Sequence, residues 1–139
     1  MSEKLPTCGQ LERELSQQIQ AFYRDRLGYK PSKITCQFLD QKVTIILEDS
    51  LTPAEQLLAE DGQKKLAQEV RSCLNELTKP QIIELIETIL KVKVDDLLSD
   101  VTLDTARTGM IAILADNPQV RNPAEISKGS SSKSSVSKS

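Results

Sequence analysis

Near the amino terminus, apolar residues recur every three or four positions, which is the spacing of one face of a helix. Thr7 and Gln10 match a capping box at the start of this pattern, and Gly28 suits its end. The pattern predicts a helix from about Gln10 to Leu27. Its apolar stripe consists of Leu11, Leu15, Ile19, Phe22 and Tyr23.

The segments that follow alternate between apolar and polar residues, as strands with one buried face do. Lys33–Leu39 and Lys42–Glu48 both alternate, and the polar pair Asp40-Gln41 between them indicates a hairpin turn. Toward the carboxyl terminus, strand patterns recur at Val92–Leu103 and Met110–Ala115. The chain therefore contains two predicted hairpins.

Two helices are predicted between these hairpins. Thr52, followed by a proline and by Glu55, forms a capping box that starts a short helix ending near Glu60. A longer helix resumes near Gln63, and Pro80 should kink or restart it. Its apolar stripe is Leu66, Val70, Cys73, Leu74 and Leu77 before the proline, then Ile82, Ile83, Ile86, Ile89 and Leu90.

The element order α-β-β-α-α-β-β predicts an α+β fold. A four-stranded, mostly antiparallel sheet with helices on one face would bury every stripe. Of the 139 residues, 1–115 are predicted to form this single domain and 116–139 a disordered tail rich in Ser and Lys. The bare strand face and the long helix could serve a homo-oligomer, such as a dimer.

Composition excludes several classes of function. There is no His among 139 residues, which removes the usual general base and the commonest metal ligand. Residues 1–115 carry a net charge of −4, so no nucleic-acid partner is expected. No apolar run approaches the length of a transmembrane span or a signal peptide. We expect a cytoplasmic protein that is not an enzyme and has no catalytic residues, metal or cofactor.

Three residues form a candidate ligand site. Thr52 and Glu55 have a sufficient explanation as helix caps, but a capped helix start can also bind an anion. Arg71 lies beside the apolar stripe of the long helix, where it could be exposed, with its stem covering apolar surface. It could instead form a buried pair with a carboxylate, for which Glu55 and Glu69 are candidates.

The three cysteines are too widely spaced for a disulfide framework or a zinc motif. Cys36 and Cys73 fall on predicted core faces and are interpreted as small buried apolar residues. Unpaired thiols fit a reducing compartment.

Four motifs occur in a fixed order along the chain. Gly28-Tyr29-Lys30-Pro31 ends the first predicted helix, and Leu51-Thr52-Pro53-Ala54-Glu55-Gln56-Leu57-Leu58 starts the second. Val70-Arg71 lies in the long helix and Val92-Lys93-Val94 follows it. They resemble the GxGP-like turn, the LTxxExxL signature, the vR pair and the g-V-kV element of the MpsC family. Residues 8–115 are similar to that family.

This resemblance implies a soluble accessory protein of a membrane complex linked to membrane potential and inorganic carbon supply. No catalytic residues are established for the family. The leading hypothesis is a cytoplasmic accessory or regulatory protein that binds a subunit of a membrane ion or inorganic-carbon transport complex. It would lie at the inner face of the membrane through that partner. The alternative is a sensor that binds a small anion or metabolite at Thr52, Glu55 and Arg71, and a nucleic-acid-binding module is a third possibility.

Overall fold

A computed structural model describes residues 5–120 of the chain. From residue 121 onward, the predicted tail lies outside the described residues. Elements follow the order α-β-β-α-α-β-β: α1 (Cys8–Leu27), β1 (Lys33–Leu39), β2 (Lys42–Glu48), α2 (Pro53–Glu60), α3 (Lys64–Leu90), β3 (Val94–Thr102) and β4 (Arg107–Leu114).

The four strands form one sheet in the order β1-β2-β4-β3, and every neighbouring pair is antiparallel. The carboxyl-terminal hairpin therefore adds to the first one through β4, which leaves β1 and β3 as the two edges. The predicted α+β class and four-stranded antiparallel sheet are confirmed. β4 begins at Arg107, three residues before the predicted strand, because Arg107 and Thr108 continue the ladder with β3.

The core lies between the sheet, α1 and the second half of α3. Alternate strand residues contribute to it, as do helix residues spaced three or four apart. α1 begins with the predicted Thr7–Gln10 capping box and ends at Gly28, whose φ of 68° lies in the left-handed region that glycine adopts readily. The core includes Leu15 and Ile19 of α1, Ile45 and Leu47 of β2, Ile82 and Ile86 of α3, and Met110 and Ala112 of β4.

The first half of α3 buries a different face from the predicted one. Ala67, Arg71 and Thr78 are buried, whereas Leu66, Cys73 and Leu77 are exposed. The core assignment of Cys73 is therefore wrong, while that of Cys36 is confirmed. The reason is tertiary: this half of α3 packs against α2, and Arg71 turns inward to reach a carboxylate on that helix.

α3 also continues through Pro80 as a single helix rather than restarting there. Proline removes one backbone donor from a helix interior and is unfavourable there. Tertiary packing overrides this local cost, because Ile82, Ile86 and Leu90 beyond the proline are all held in the core.

Candidate functional site

A buried ion pair joins the two middle helices. The guanidinium of Arg71 on α3 donates from Nε to Oε2 of Glu55 at 2.7 Å and from Nη2 to Oε1 at 2.6 Å. The side chains are 2% and 0% exposed. Of the alternatives that the sequence left open for Arg71, the buried pair is the one that the structure contains, and Glu55 is the partner.

The same carboxylate caps α2. Oε1 of Glu55 accepts hydrogen bonds from the backbone N–H of Thr52 at 3.0 Å and from its Oγ1 at 2.9 Å. In return, Oγ1 of Thr52 accepts the backbone N–H of Glu55 at 3.3 Å. The capping box is thus confirmed, and the negative charge that suits a helix start is supplied from within the chain.

Arg71 has two further partners that the sequence did not reveal. Nη2 donates to the carbonyl oxygen of Ser50 at 3.1 Å, and Nη1 donates to Oδ1 of Asn75 at 3.4 Å. The buried hydroxyl of Ser50 also lies 2.6 Å from Oγ1 of Thr108 on β4. Only the Arg71–Asn75 pair has a helical spacing that could have drawn attention, because the other partners are remote in sequence.

This network brings Thr52, Glu55 and Arg71 together, as the candidate site requires. Its polar groups satisfy one another, so a free anion would have to displace the carboxylate of Glu55 from Arg71. Tyr23 of α1 lies nearby: burial raises the pKa of its phenol, and the positive charge of Arg71 partly offsets this. The arrangement joins α2, α3 and the end of the sheet.

A second feature is a groove between α1 and α3, of about 450 Å³. Its apolar residues are the half-buried Phe22, Leu85 and Ile89. Glu14 on α1 and Glu84 on α3 are exposed at its sides. Along Ile89 it continues into a second depression, of about 280 Å³. The result is an elongated groove with apolar residues along it, with carboxylates beside its first part and Lys91 lining the second depression.

Across residues 5–120, no group of three or more His, Cys, Asp or Glu side chains is placed to hold a metal ion. Within the same residues, no helix is both long and apolar enough to cross a membrane.

These features define a class of protein: an α+β domain built on one four-stranded antiparallel sheet, with a buried ion pair joining its two middle helices. A family model described as "Na+-translocating membrane potential-generating system (MpsC)" matches residues 7–116. The chain belongs to the MpsC family, as its motifs indicated. This description links the family to a Na+-translocating membrane system. Searches of curated proteins and of solved structures found no match.

Proposed function

We propose that this protein is a non-enzymatic accessory or regulatory component of a Na+-translocating, membrane-potential-generating system. It binds a membrane-embedded subunit from the cytoplasmic side, and inorganic-carbon transport is a further process that this system would serve. The family match over residues 7–116 carries the proposal. Regulation here means that binding changes the activity of the transporter without any chemistry by this chain.

The groove between α1 and α3 supports a role in binding. Its floor is apolar at Phe22, Leu85 and Ile89, and Glu14 and Glu84 place negative charge at its sides. Cytoplasmic loops of membrane proteins carry an excess of Lys and Arg. A basic amphipathic segment of such a subunit could bury its apolar side chains in the groove and pair its cations with the two carboxylates.

The network at Thr52, Glu55 and Arg71 supports a structural role more than a sensor. Arg71 already directs hydrogen bonds to Glu55, Ser50 and Asn75. An anion that bound there would leave a buried carboxylate without its cation, which is costly. We therefore place partner binding at the groove and not at this network.

The test is affinity capture of the tagged full chain from detergent-solubilised native membranes, followed by mass spectrometry. A variant with Glu14→Lys and Glu84→Lys reverses the charge of the groove. The matched control, Glu69→Lys with Glu76→Lys, reverses two exposed carboxylates on the first half of α3.

We expect the unaltered chain and the control to retain a subunit of a cation-translocating complex and the groove variant to lose it. Recovery of no such subunit by the unaltered chain would contradict the proposal. Retention of that subunit by the groove variant would show that the groove is not the binding surface.

A further inference from the structure

Within residues 5–120, the face of the sheet that points away from the core is uncovered, and several of its exposed side chains are apolar. Leu39, Leu98 and Ile111 lie on it, with exposures of 66%, 54% and 39%. Ile46 adds a half-buried side chain beside them. The described chain beyond β4 does not cover this face, because Val120 packs against the core on the opposite side.

A shallow hollow of about 340 Å³ lies in the middle of this face. Its lining includes Thr44, Ile46, Leu98, Gly109 and Ile111. A Cβ atom at Gly109 would lie 3.6 Å from the side chain of Ile46, which is an ordinary van der Waals contact, so glycine relieves no clash here.

Charge on the open face is separated across the sheet. Lys33 and Lys42 lie on the β1–β2 half, and Asp96 and Asp100 lie on the β3 edge. Arg107 on β4 and Glu48 on β2, which lie on the same face, pair with each other. The face therefore has one basic side and one acidic side. When two copies of this face meet about a two-fold axis, the basic side of each copy meets the acidic side of the other.

We propose that this face binds the same face of a second copy of the chain, about a two-fold axis parallel to the strands and between β2 and β4. This axis places β1 over β3 of the partner and β2 over β4 of the partner. Lys42 shares a row of the sheet with Asp96, so the partner's Asp96 lies diagonally across the interface from it, one strand away. Ile46 is paired with Gly109 in the ladder, so it points into the partner's hollow.

The size of the face predicts a weak dimer. The four strands are seven to nine residues long. With a spacing of about 4.8 Å and about 3.4 Å per residue, they cover roughly 500 Å² on each copy. Standard stable interfaces bury about 800 Å² of accessible surface on each partner, and smaller ones are transient. We therefore expect an equilibrium between monomer and dimer that depends on concentration.

The first test is sedimentation equilibrium of the full chain from about 10 µM to about 1 mM. Ile111→Arg places a charge at the centre of the proposed interface. Leu77→Arg is the matched control, because Leu77 is 68% exposed but lies on α3. Circular dichroism establishes that both variants are folded.

We expect the unaltered chain and Leu77→Arg to dimerise with similar dissociation constants, and Ile111→Arg to weaken dimerisation at least tenfold. A monomer throughout the range overturns the proposal. So does loss of the dimer in Leu77→Arg with retention in Ile111→Arg, which would assign the interface to the exposed apolar stripe of α3.

A charge-reversal series tests the axis and needs only exposed positions. Lys42→Asp and Asp96→Lys should each weaken the dimer by roughly tenfold, because each change affects two symmetric contacts. The double variant restores opposite charges across the interface and should recover the original affinity. Failure to recover overturns the proposed arrangement. None of these results bears on capture of a membrane subunit through the groove, which lies on the helical side of the domain.

Discussion

Removing the buried cation of the Arg71–Glu55 pair should destabilise the protein severely. In Arg71→Met the side chain keeps most of its length and loses its charge, while the carboxylate of Glu55 stays buried at the start of α2. The carboxylate retains its hydrogen bonds from Thr52 but loses two charge-assisted bonds at 2.6 and 2.7 Å. An unpaired buried charge is far more costly than the pair was favourable.

We expect a loss of about 3–5 kcal/mol in the free energy of unfolding. Domains of this size have about 5–15 kcal/mol in total, so the variant would approach marginal stability. The corresponding fall in melting temperature is roughly 10–20 °C. These values follow from burial, because the same substitution in an exposed pair removes less than about 1 kcal/mol.

Urea titration of a double-mutant cycle measures the effect. Glu55→Gln keeps the capping geometry of α2 and removes the charge, and it is combined with Arg71→Met. The double variant should be more stable than the sum of the single losses predicts, by about 2 kcal/mol. Asp104→Asn is the control, since the 2.8 Å pair between Lys64 and Asp104 is exposed. Single losses below about 1 kcal/mol that simply add would refute the reasoning.

Three further predictions follow from local geometry. Gly28→Ala should cost about 1 kcal/mol in urea titration, because φ is 68° there; no loss would contradict the left-handed cap. A thiol reagent at neutral pH should label Cys73 rapidly and Cys36 only after denaturation, because Cys36 is buried and burial raises its pKa; rapid labelling of Cys36 in the folded protein would contradict this. Burial also raises the pKa of Tyr23, so this tyrosine loses its proton at a lower pH in the unfolded chain than in the folded protein. The free energy of unfolding from urea titration should therefore fall above a pH of about 10, and a constant value there would contradict the burial.

Several elements could be predicted from the sequence because their signals are local. The capping boxes at Thr7 and Thr52 act within one helical turn, and both are present in the structure. Gly28 ends α1 through its own backbone freedom. Alternation over Lys33–Leu39 and Lys42–Glu48 specifies a strand pair, and the two strands have these bounds in the structure.

The candidate site could be predicted only in part. The spacing of Thr52 and Glu55 predicts a capping pair. No local pattern points to Ser50, whose carbonyl accepts a hydrogen bond from Arg71, or to Thr108, whose hydroxyl contacts that of Ser50. The choice between Glu55 and Glu69 as partner was open because it depends on how α2 packs against α3.

Local signals along the chain predict each helix and strand to within a few residues, since capping, periodicity and turn residues act over a few positions. Which face of α3 is buried, in contrast, depends on tertiary packing. Leu66 and Leu77 form an apolar stripe, yet Arg71 on the other side turns inward because Glu55 lies there. The tertiary structure also decided that β4 pairs with β2, which creates the open face around Gly109. Periodicity shows that a helix has an apolar face, but what covers a face depends on neighbours far away in the chain.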